Sequence, residues 1–255
     1  MKKQLRAAEG VFVIVILITL LVCPGLYAAE ETLPTPEEII AKNIEAIGGI
    51  NALKKIKNKK IVTIGKFDQM NMVIKVTEYR ERPHYVSRVF DTGPREGSNG
   101  KMAWDVNSLE TRLFEGDALA NVLMRDIFDG PDGTDARYKS MKTEGIEQIN
   151  GKDCYKVVKT PEEGTERIVY YDKKSFMIVT TIEYFKGPPL GNNKFETYIE
   201  EYQKINNILF PYKDVTFLNG QKNSEGTTEK IELNIEMPEG IFDIPEEVKA
   251  IMRKE

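Results

Sequence analysis

The residue types that perform most protein chemistry are sparse in this chain, which has a single histidine, His84, among 255 residues. One histidine cannot build a two-histidine metal site, and no Gly-x-Ser-x-Gly segment presents a serine nucleophile. His84 follows Pro83 at the start of a predicted strand, where an exposed edge residue is the simpler interpretation. The sequence therefore predicts no catalytic residue and no metal site.

Three other groups of polar residues are better explained as turns or solvent-exposed surface than as functional sites. Asp129, Asp132 and Asp135 lack the alternate spacing of the acids in an EF-hand calcium loop. The segment 97–100 is followed neither by the lysine–serine or lysine–threonine pair nor by the helix of a phosphate-binding loop, and it predicts a hairpin turn. The adjacent carboxylates 200–201 point to opposite faces of a predicted strand, as neighbours on a strand do. We expect no cofactor.

The N-terminus carries the pattern of a secretory signal. Basic residues among the first six precede the run 11–22, which is apolar except for Thr19, and the small pair Ala28 and Ala29 follows. This run is shorter than the about 20 apolar residues that a membrane-spanning helix needs. We expect a Sec-type signal peptide over 1–28, a single periplasmic domain over 29–255, and two alternatives, namely an uncleaved anchor or lipidation at Cys23.

Charge and cysteine content narrow the function further. The formal net charge is −4, so the chain lacks the cationic surface that binding to nucleic acid requires. The basic run 54–60 favours a solvated helix end, with a contact for anionic head groups or a partner as the alternative. Once residues 1–28 are removed, Cys154 is the remaining cysteine, and its strand-like surroundings predict a buried and inert thiol.

A capping box predicts the start of an N-terminal helix. Thr35 can accept a hydrogen bond from the backbone of Glu38, whose carboxylate can bond back to Thr35, and Pro36 suits the first helical position. Isoleucines then recur at helical spacing as far as Gly48. We expect this helix to cover part of the core.

From Ile61 onward the apolar residues recur with the period of a strand. About eleven strands are predicted, over 61–68, 70–80, 84–91, 101–106, 110–115, 153–160, 165–172, 176–186, 195–204, 208–218 and 227–237. Short turns favour antiparallel neighbours, and an open sheet of this size tends to curl. The predicted fold class is mainly β, a strongly curled antiparallel sheet that forms an unclosed half-barrel.

One amphipathic segment interrupts the strands. Residues 117–128 carry apolar side chains at helical spacing, and the Gly- and Asp-rich segment 129–135 favours a loop after them. We expect a helix that lies across the concave face of the sheet as a lid. A short terminal helix is predicted over 246–254.

The remaining candidate site is apolar. Methionines adapt to irregular ligands, and a curled sheet can enclose a ligand cavity. The predicted cavity residues lie on the second strand, the fourth strand and the lid helix: Met70, Met72, Ile74, Trp104, Leu119, Val122, Leu123 and Phe128. The alternative is a core that the protein fills with its own side chains.

A series of short motifs runs in a characteristic order through residues 36–245. In chain order they are Ile39–Leu53, Gly100–Trp104, Leu113–Gly116, Ile149–Tyr155, Glu166–Asp172, Ile208–Pro211 and Phe242–Pro245. Each motif alone is a glycine turn or an aromatic strand, and it is their order that resembles the LolA/LolB-like outer-membrane lipoprotein-sorting family.

This resemblance implies an unclosed barrel with helices across its mouth and an apolar cavity for acyl chains. It implies a non-enzymatic periplasmic carrier whose partners are a lipid or an acylated lipoprotein, and envelope membrane proteins or a membrane surface. Arg80 and Arg82 lie in the region where the family's carrier has an arginine that latches the lid, and that role is assigned to neither. The alternatives are a structural or interaction module of the cell envelope, and an enzyme built from scattered acids and tyrosines.

Overall fold

The structure is a computed structural model that describes residues 32–82, 85–123, 138–185 and 191–253. Leu33–Glu255 form one compact unit. The predicted signal peptide, His84, Phe128 and the aspartates of the segment 129–135 lie outside the described residues.

The predicted capping box forms at the start of the first helix, α1 (Pro36–Ile47). Glu38 N donates to Thr35 Oγ1 at 3.2 Å, and Thr35 N donates to Glu38 Oε2 at 2.8 Å. Gly48 ends the helix at a φ of 137°. A side chain there would strain the backbone, and its Cβ would lie 2.7 Å from the carbonyl oxygen of Asn207.

Three further α-helices in the described parts of the chain are short. Helix α2 spans Ile50–Lys54, helix α3 spans Gly116–Leu123, and helix α4 spans Glu246–Met252. Helices α3 and α4 confirm the predicted middle and terminal helices within the described parts of those segments. Among the described residues, no helix is both long and apolar enough to span a membrane.

The strands form one antiparallel sheet. In chain order they are β1 (Asn58–Phe67), β2 (Met72–Glu81), β3 (Tyr85–Phe90), β4 (Arg95–Asn99), β5 (Ala103–Val106), β6 (Thr111–Leu113), β7 (Tyr138–Ile149), β8 (Lys152–Pro161), β9 (Arg167–Asp172), β10 (Ile178–Phe185), β11 (Asn193–Ile205), β12 (Ile208–Leu218) and β13 (Gln221–Leu233). Their order in the 13-stranded sheet is β6-β5-β4-β3-β2-β1-β13-β12-β11-β10-β9-β8-β7. Strands β6 and β7 are the two edges, so the sheet is not closed into a barrel.

Asparagine and glycine set several of the hairpins. The β7–β8 turn contains Asn150 and Gly151, and the β12–β13 turn contains Asn219 and Gly220, all with positive φ. A two-residue turn of this kind matches the twist of antiparallel strands. These turns fix the register of the long strands on either side.

The prediction of about eleven strands was wrong in two places. The segment 97–100 was predicted to be a hairpin turn, but Arg95–Asn99 forms β4, which pairs with both β3 and β5. The segment Tyr138–Ile149 was not predicted, yet it forms the edge strand β7. Both strands are rich in charged and polar residues, so neither shows the apolar alternation that predicts a strand. Charged residues are common on edge strands because they discourage aggregation.

The main core lies where α1 packs onto one end of the concave face. Ile39 and Leu53 are fully buried there, and they belong to one cluster with Val157 of β8 and Phe210 of β12. Burying a side chain of this size contributes about 1.5–3 kcal/mol. The helix therefore fills one end of the half-barrel and leaves the other end to the cavity described below.

A smaller cluster covers part of the opposite, convex face. Trp104 of β5 is 3% exposed and packs with Val106 and with the fully buried Val248 of α4. Gly97 is the strand partner of Trp104, and a Cβ at position 97 would lie 2.7 Å from the indole ring. A glycine is required there because the indole ring lies directly over the backbone of β4.

Candidate ligand cavity

A cavity of about 810 Å³ lies between the concave face of the sheet and helices α1 and α3. Residues from strands on both sides of the β1–β13 pair line it, which shows that the sheet curls around it. Its volume is within the roughly 300–1,000 Å³ range of small-molecule sites. The larger apolar side chains of the lining are Ile44, Ile47, Ile61, Phe67, Val76, Phe90, Phe114, Val122, Ile178, Phe185, Phe195, Ile199, Leu209, Phe210 and Ile231.

Helix α3 lies beside the cavity and links the two edge regions of the open sheet. It follows the edge strand β6, and its Asn121 bonds to the turn between β8 and β9 near the other edge. Asn121 Nδ2 donates to Thr165 Oγ1, and Thr165 N donates to Asn121 Oδ1, both at 3.2 Å. Gly164 has a φ of 94°, and a Cβ there would lie 2.7 Å from Asn121 Oδ1. One side chain on the helix and a glycine in the turn therefore hold α3 beside the cavity.

A continuous group of charged residues lines the cavity on strands β2 to β6, and the other charged residues of the lining lie on other strands: Lys59, Arg167, Glu183, Asp214 and Glu225. We call the group on β2 to β6 the charged wall, and it consists of Glu78, Arg80, Arg88, Glu96, Asp105 and Arg112. Strand register brings these residues together. From β2 to β6, each residue in the following series is directly opposite the next one on the neighbouring strand: Glu78, Arg88, Glu96, Asp105 and Arg112. Arg80 lies two residues beyond Glu78 on the same face of β2.

Glu78 is the centre of the wall's hydrogen bonding. Arg80 Nε donates to Glu78 Oε1 at 2.6 Å, and Arg88 Nε donates to Glu78 Oε2 at 2.6 Å. Arg88 also donates to Glu96 Oε2 through Nη1 at 3.4 Å. Burial alone would raise the pKa of Glu78, but the guanidinium groups of Arg80 and Arg88 outweigh it and hold that pKa far below its ordinary value of 4.5. Glu78 in turn raises the pKa of Arg88.

The other end of the wall is less completely paired. Asp105 accepts hydrogen bonds from Arg112 Nη2 and, at 3.2 Å, from Asn107 Nδ2. Arg112 Nε is buried with no hydrogen-bond acceptor in the described part of the chain, and Glu110 Oε2 lies 3.6 Å from it. Glu96 and Asp105 are directly opposite each other, and like charges in such a pair are unfavourable.

Another carboxylate of the lining, Asp214 of β12, lies close to the backbone of β13. A Cβ on its strand partner Gly226 would lie 2.5 Å from Asp214 Oδ1, so the glycine makes room for the carboxylate. Burial raises the pKa of Asp214, and the charge of Glu200 raises it further.

The raised pKa predicts how stability should change with pH. A carboxyl whose folded pKa lies above its unfolded value binds protons more readily in the folded state, so its ionised form disfavours folding. We expect Asp214→Asn to raise the free energy of unfolding at neutral pH. This gain should shrink as the pH falls toward the ordinary value of 3.8, because the wild-type carboxyl becomes protonated in the folded state first. Urea titrations of both proteins across this range would test it, and a gain that does not depend on pH would contradict it.

The predicted site residues occupy different parts of the molecule. Val122 lines the cavity, and Leu119 and Leu123 are half-buried on the same helix. Ile74 and Met72 lie beyond Val76 on the same face of β2, pairing with Gly65 and Phe67, which both line the cavity. Met70 belongs to the one-turn 3-10 helix Asp68–Met70 and is 56% exposed. Trp104 lies on the convex face under α4, and Phe128 lies outside the described residues.

Sequence reasoning did not identify the charged wall, although its first members were within reach. The alternation through Ile74 and Val76 continues to Glu78 and Arg80 on the same face of β2. From the sequence alone, however, charged residues at the end of a strand are equally compatible with exposure to solvent. Only the register of five strands, two of them short, shows that these charges meet inside the cavity.

The prediction for the lone thiol can be compared with the structure. Cys154 is fully buried, as predicted, beside Tyr170 and Val179 on the convex face. Burial raises the pKa of its thiol to about 11. Within the described ranges, no group of three or more histidine, cysteine, aspartate or glutamate residues is placed to hold a metal ion.

No family model and no curated protein matches the sequence. Solved structures do match. The chain has a TM-score of 0.55 and 12% identity to an outer membrane lipoprotein-sorting protein domain from Vibrio parahaemolyticus, covering 85% of this chain and 97% of that one. The same TM-score and identity relate it to a LolA superfamily protein from Nitrosomonas europaea, covering 83% and 99% of the two chains.

A DUF1329 family protein from Desulfovibrio piger matches at a TM-score of 0.55 and 13% identity, covering 81% of this chain and 96% of that one. Because these matches extend over nearly all of each solved chain, the likeness concerns the whole sheet. The chain therefore has the fold of LolA superfamily and outer-membrane lipoprotein-sorting domains. At such low identity the match establishes the fold alone.

Proposed function

We propose that this protein is a non-enzymatic carrier or binding protein for lipid or lipoprotein acyl chains in the periplasm. The observation that carries the proposal is the cavity of about 810 Å³ between the sheet and the helices. Aliphatic and aromatic side chains line much of its surface. A sheet filled by its own side chains would leave no such space. The resemblance of the motifs and the matching solved folds support the same function.

The driving force for binding would be desolvation of the acyl chain. Each buried CH₂ contributes about 0.8 kcal/mol, which is about fourfold in affinity. On the side away from the charged wall, Phe185 and Phe195 pack edge to face with ring centroids 5.3 Å apart. Together with Ile199 and with Val122 of α3, they give an acyl chain an apolar surface. Leu119 and Leu123 would extend that surface along the helix.

Entry and release would require α3 to move. The helix borders the cavity through Ala118 and Val122, and the hydrogen bonds of Asn121 to Thr165 hold it to the β8–β9 turn. Breaking these few bonds exposes polar groups that water can satisfy, so the bonds themselves oppose opening only weakly. We propose that α3 acts as the lid, and that the exported, mature domain acts on ligands presented by envelope proteins or a membrane surface.

A chain-length series tests the proposed function. Saturated fatty acids of increasing length should displace a fluorescent fatty acid from the purified mature domain, with affinity rising about fourfold for each added CH₂ until the cavity is full. The rise should then stop, because further carbons remain in water. Weak displacement that does not depend on chain length would contradict the carrier function and favour a structural module.

A further inference from the structure

The charged wall is an unusual surface for a cavity that binds only hydrocarbon. Its carboxylates and guanidinium groups keep their hydrogen bonds inside the cavity, and Glu78 and Arg80 have side chains only 12% and 13% exposed. A hydrocarbon placed against such groups would remove water without replacing its hydrogen bonds. A ligand that fits this cavity as a whole therefore needs a polar part where the wall lies.

Two features show where the wall is ready to receive polar groups. Arg112 Nε is buried without a hydrogen-bond acceptor in the described part of the chain, and the carboxylate 3.6 Å from it belongs to Glu110, whose side chain is 60% exposed. An anionic head group can displace that exposed carboxylate and accept the missing hydrogen bond. On the neighbouring strands, the carboxylates of Glu96 and Asp105 are directly opposite each other, and a cation between them would relieve their repulsion. Glu96 is 39% exposed, so it is accessible from the cavity.

The charges of the wall also balance. Arg80, Arg88 and Arg112 match Glu78, Glu96 and Asp105, so a head group with a net charge would leave an excess charge in a partly dehydrated site. A head that carries both signs would leave no such excess. Adjacent strands are about 5 Å apart, so a donor on β6 and the carboxylates on β4 and β5 lie within reach of one compact head group.

We propose that the charged wall binds the polar head of the ligand and that this head is zwitterionic. Its anionic group, such as a phosphate, lies against Arg112, and its ammonium group lies against Glu96 and Asp105. The acyl chain extends from there along the apolar side toward Phe195 and α3. This inference rests on the proposed function, which it deepens by naming the class of amphiphile.

Three probes with the same saturated acyl chain test the head group. They are lysophosphatidylethanolamine, which is zwitterionic, lysophosphatidylglycerol, which is anionic, and a monoacylglycerol, which is uncharged. We expect the zwitterionic probe to bind the mature domain about tenfold more tightly than the anionic one, a difference that one unbalanced charge can produce. Calorimetric titration gives the affinities.

Two variants of the wall should move this preference in opposite directions. Glu96→Gln leaves the wall with an excess positive charge and should shift the preference toward the anionic probe by about tenfold. Arg112→Gln should widen the preference for the zwitterionic probe by weakening the anionic one more. The matched control Glu201→Gln changes an exposed residue paired with Lys213 and should leave all three affinities unchanged. Binding of the uncharged probe by both wall variants shows that their cavities are intact.

The outcomes separate this inference from the function on which it rests. If all three probes bind the wild type equally, or if both wall variants change every affinity alike, the proposal of a zwitterionic head group is wrong, while the proposed function as an acyl-chain carrier is unaffected. If no probe binds the wild type, both are overturned.

Discussion

Replacing Glu78 with glutamine should lower the free energy of unfolding by about 3 kcal/mol, the lower end of the range for breaking a buried ion pair. The substitution removes the charge that both Arg80 Nε and Arg88 Nε contact at 2.6 Å. The amide can accept only through its oxygen, so two guanidinium groups would share one acceptor on the cavity wall. We take the lower end of the range because Arg88 remains 28% exposed, where water can partly replace the lost carboxylate. Urea denaturation measures the change.

The control for this prediction is the same substitution at an exposed ion pair. Glu201 contacts Lys213 at 2.7 Å, and the two side chains are 48% and 46% exposed. Glu201→Gln should change stability by less than about 1 kcal/mol, since water screens such pairs. Equal small effects at both positions would show that the charged wall is hydrated surface rather than a buried network.

The largest expected effect on binding comes from a charge placed on α3. Val122→Asp would put a carboxylate at a cavity-lining position, where an acyl chain would have to remove its water. We expect the affinity for a long-chain fatty acid to fall by at least about tenfold. Displacement of a fluorescent fatty acid measures this loss, and a thermal melt shows whether the variant remains folded.

Leu109→Asp is the matched control, because Leu109 is 95% exposed and outside the cavity lining. It introduces the same charge and removes an apolar side chain of similar size, and it should leave affinity unchanged. If the folded Val122→Asp protein binds as tightly as the control, then Val122 does not contact the ligand and α3 is not part of the binding site.

The local patterns predicted most of the elements because their physical causes are local. Thr35 and Glu38 specify the start of α1 whatever the rest of the chain does, and the short turns between apolar runs indicated antiparallel neighbours. The long apolar strands followed from alternation alone. Strands β4 and β7 were missed because their stability comes from pairing with neighbours, which a pattern of side chains within one segment does not show.

The candidate site was harder to predict because it depends on which face of each strand turns inward. Trp104 and Asp105 are neighbours in the sequence, yet the tryptophan lies under α4 and the aspartate lines the cavity. Hydrophobicity favoured the tryptophan as a cavity residue. The close approach of its ring to Gly97 is a tertiary contact, and only the paired strands reveal it.

The carrier function is tested most directly by native mass spectrometry of the mature domain, purified from a periplasmic fraction without detergent and followed by lipid extraction. We predict that the protein carries co-purifying amphiphiles with acyl chains, and that Val122→Asp releases them while Leu109→Asp retains them. A wild-type mass that corresponds to the polypeptide alone, and that stays unchanged when lipids are added, would contradict the carrier function.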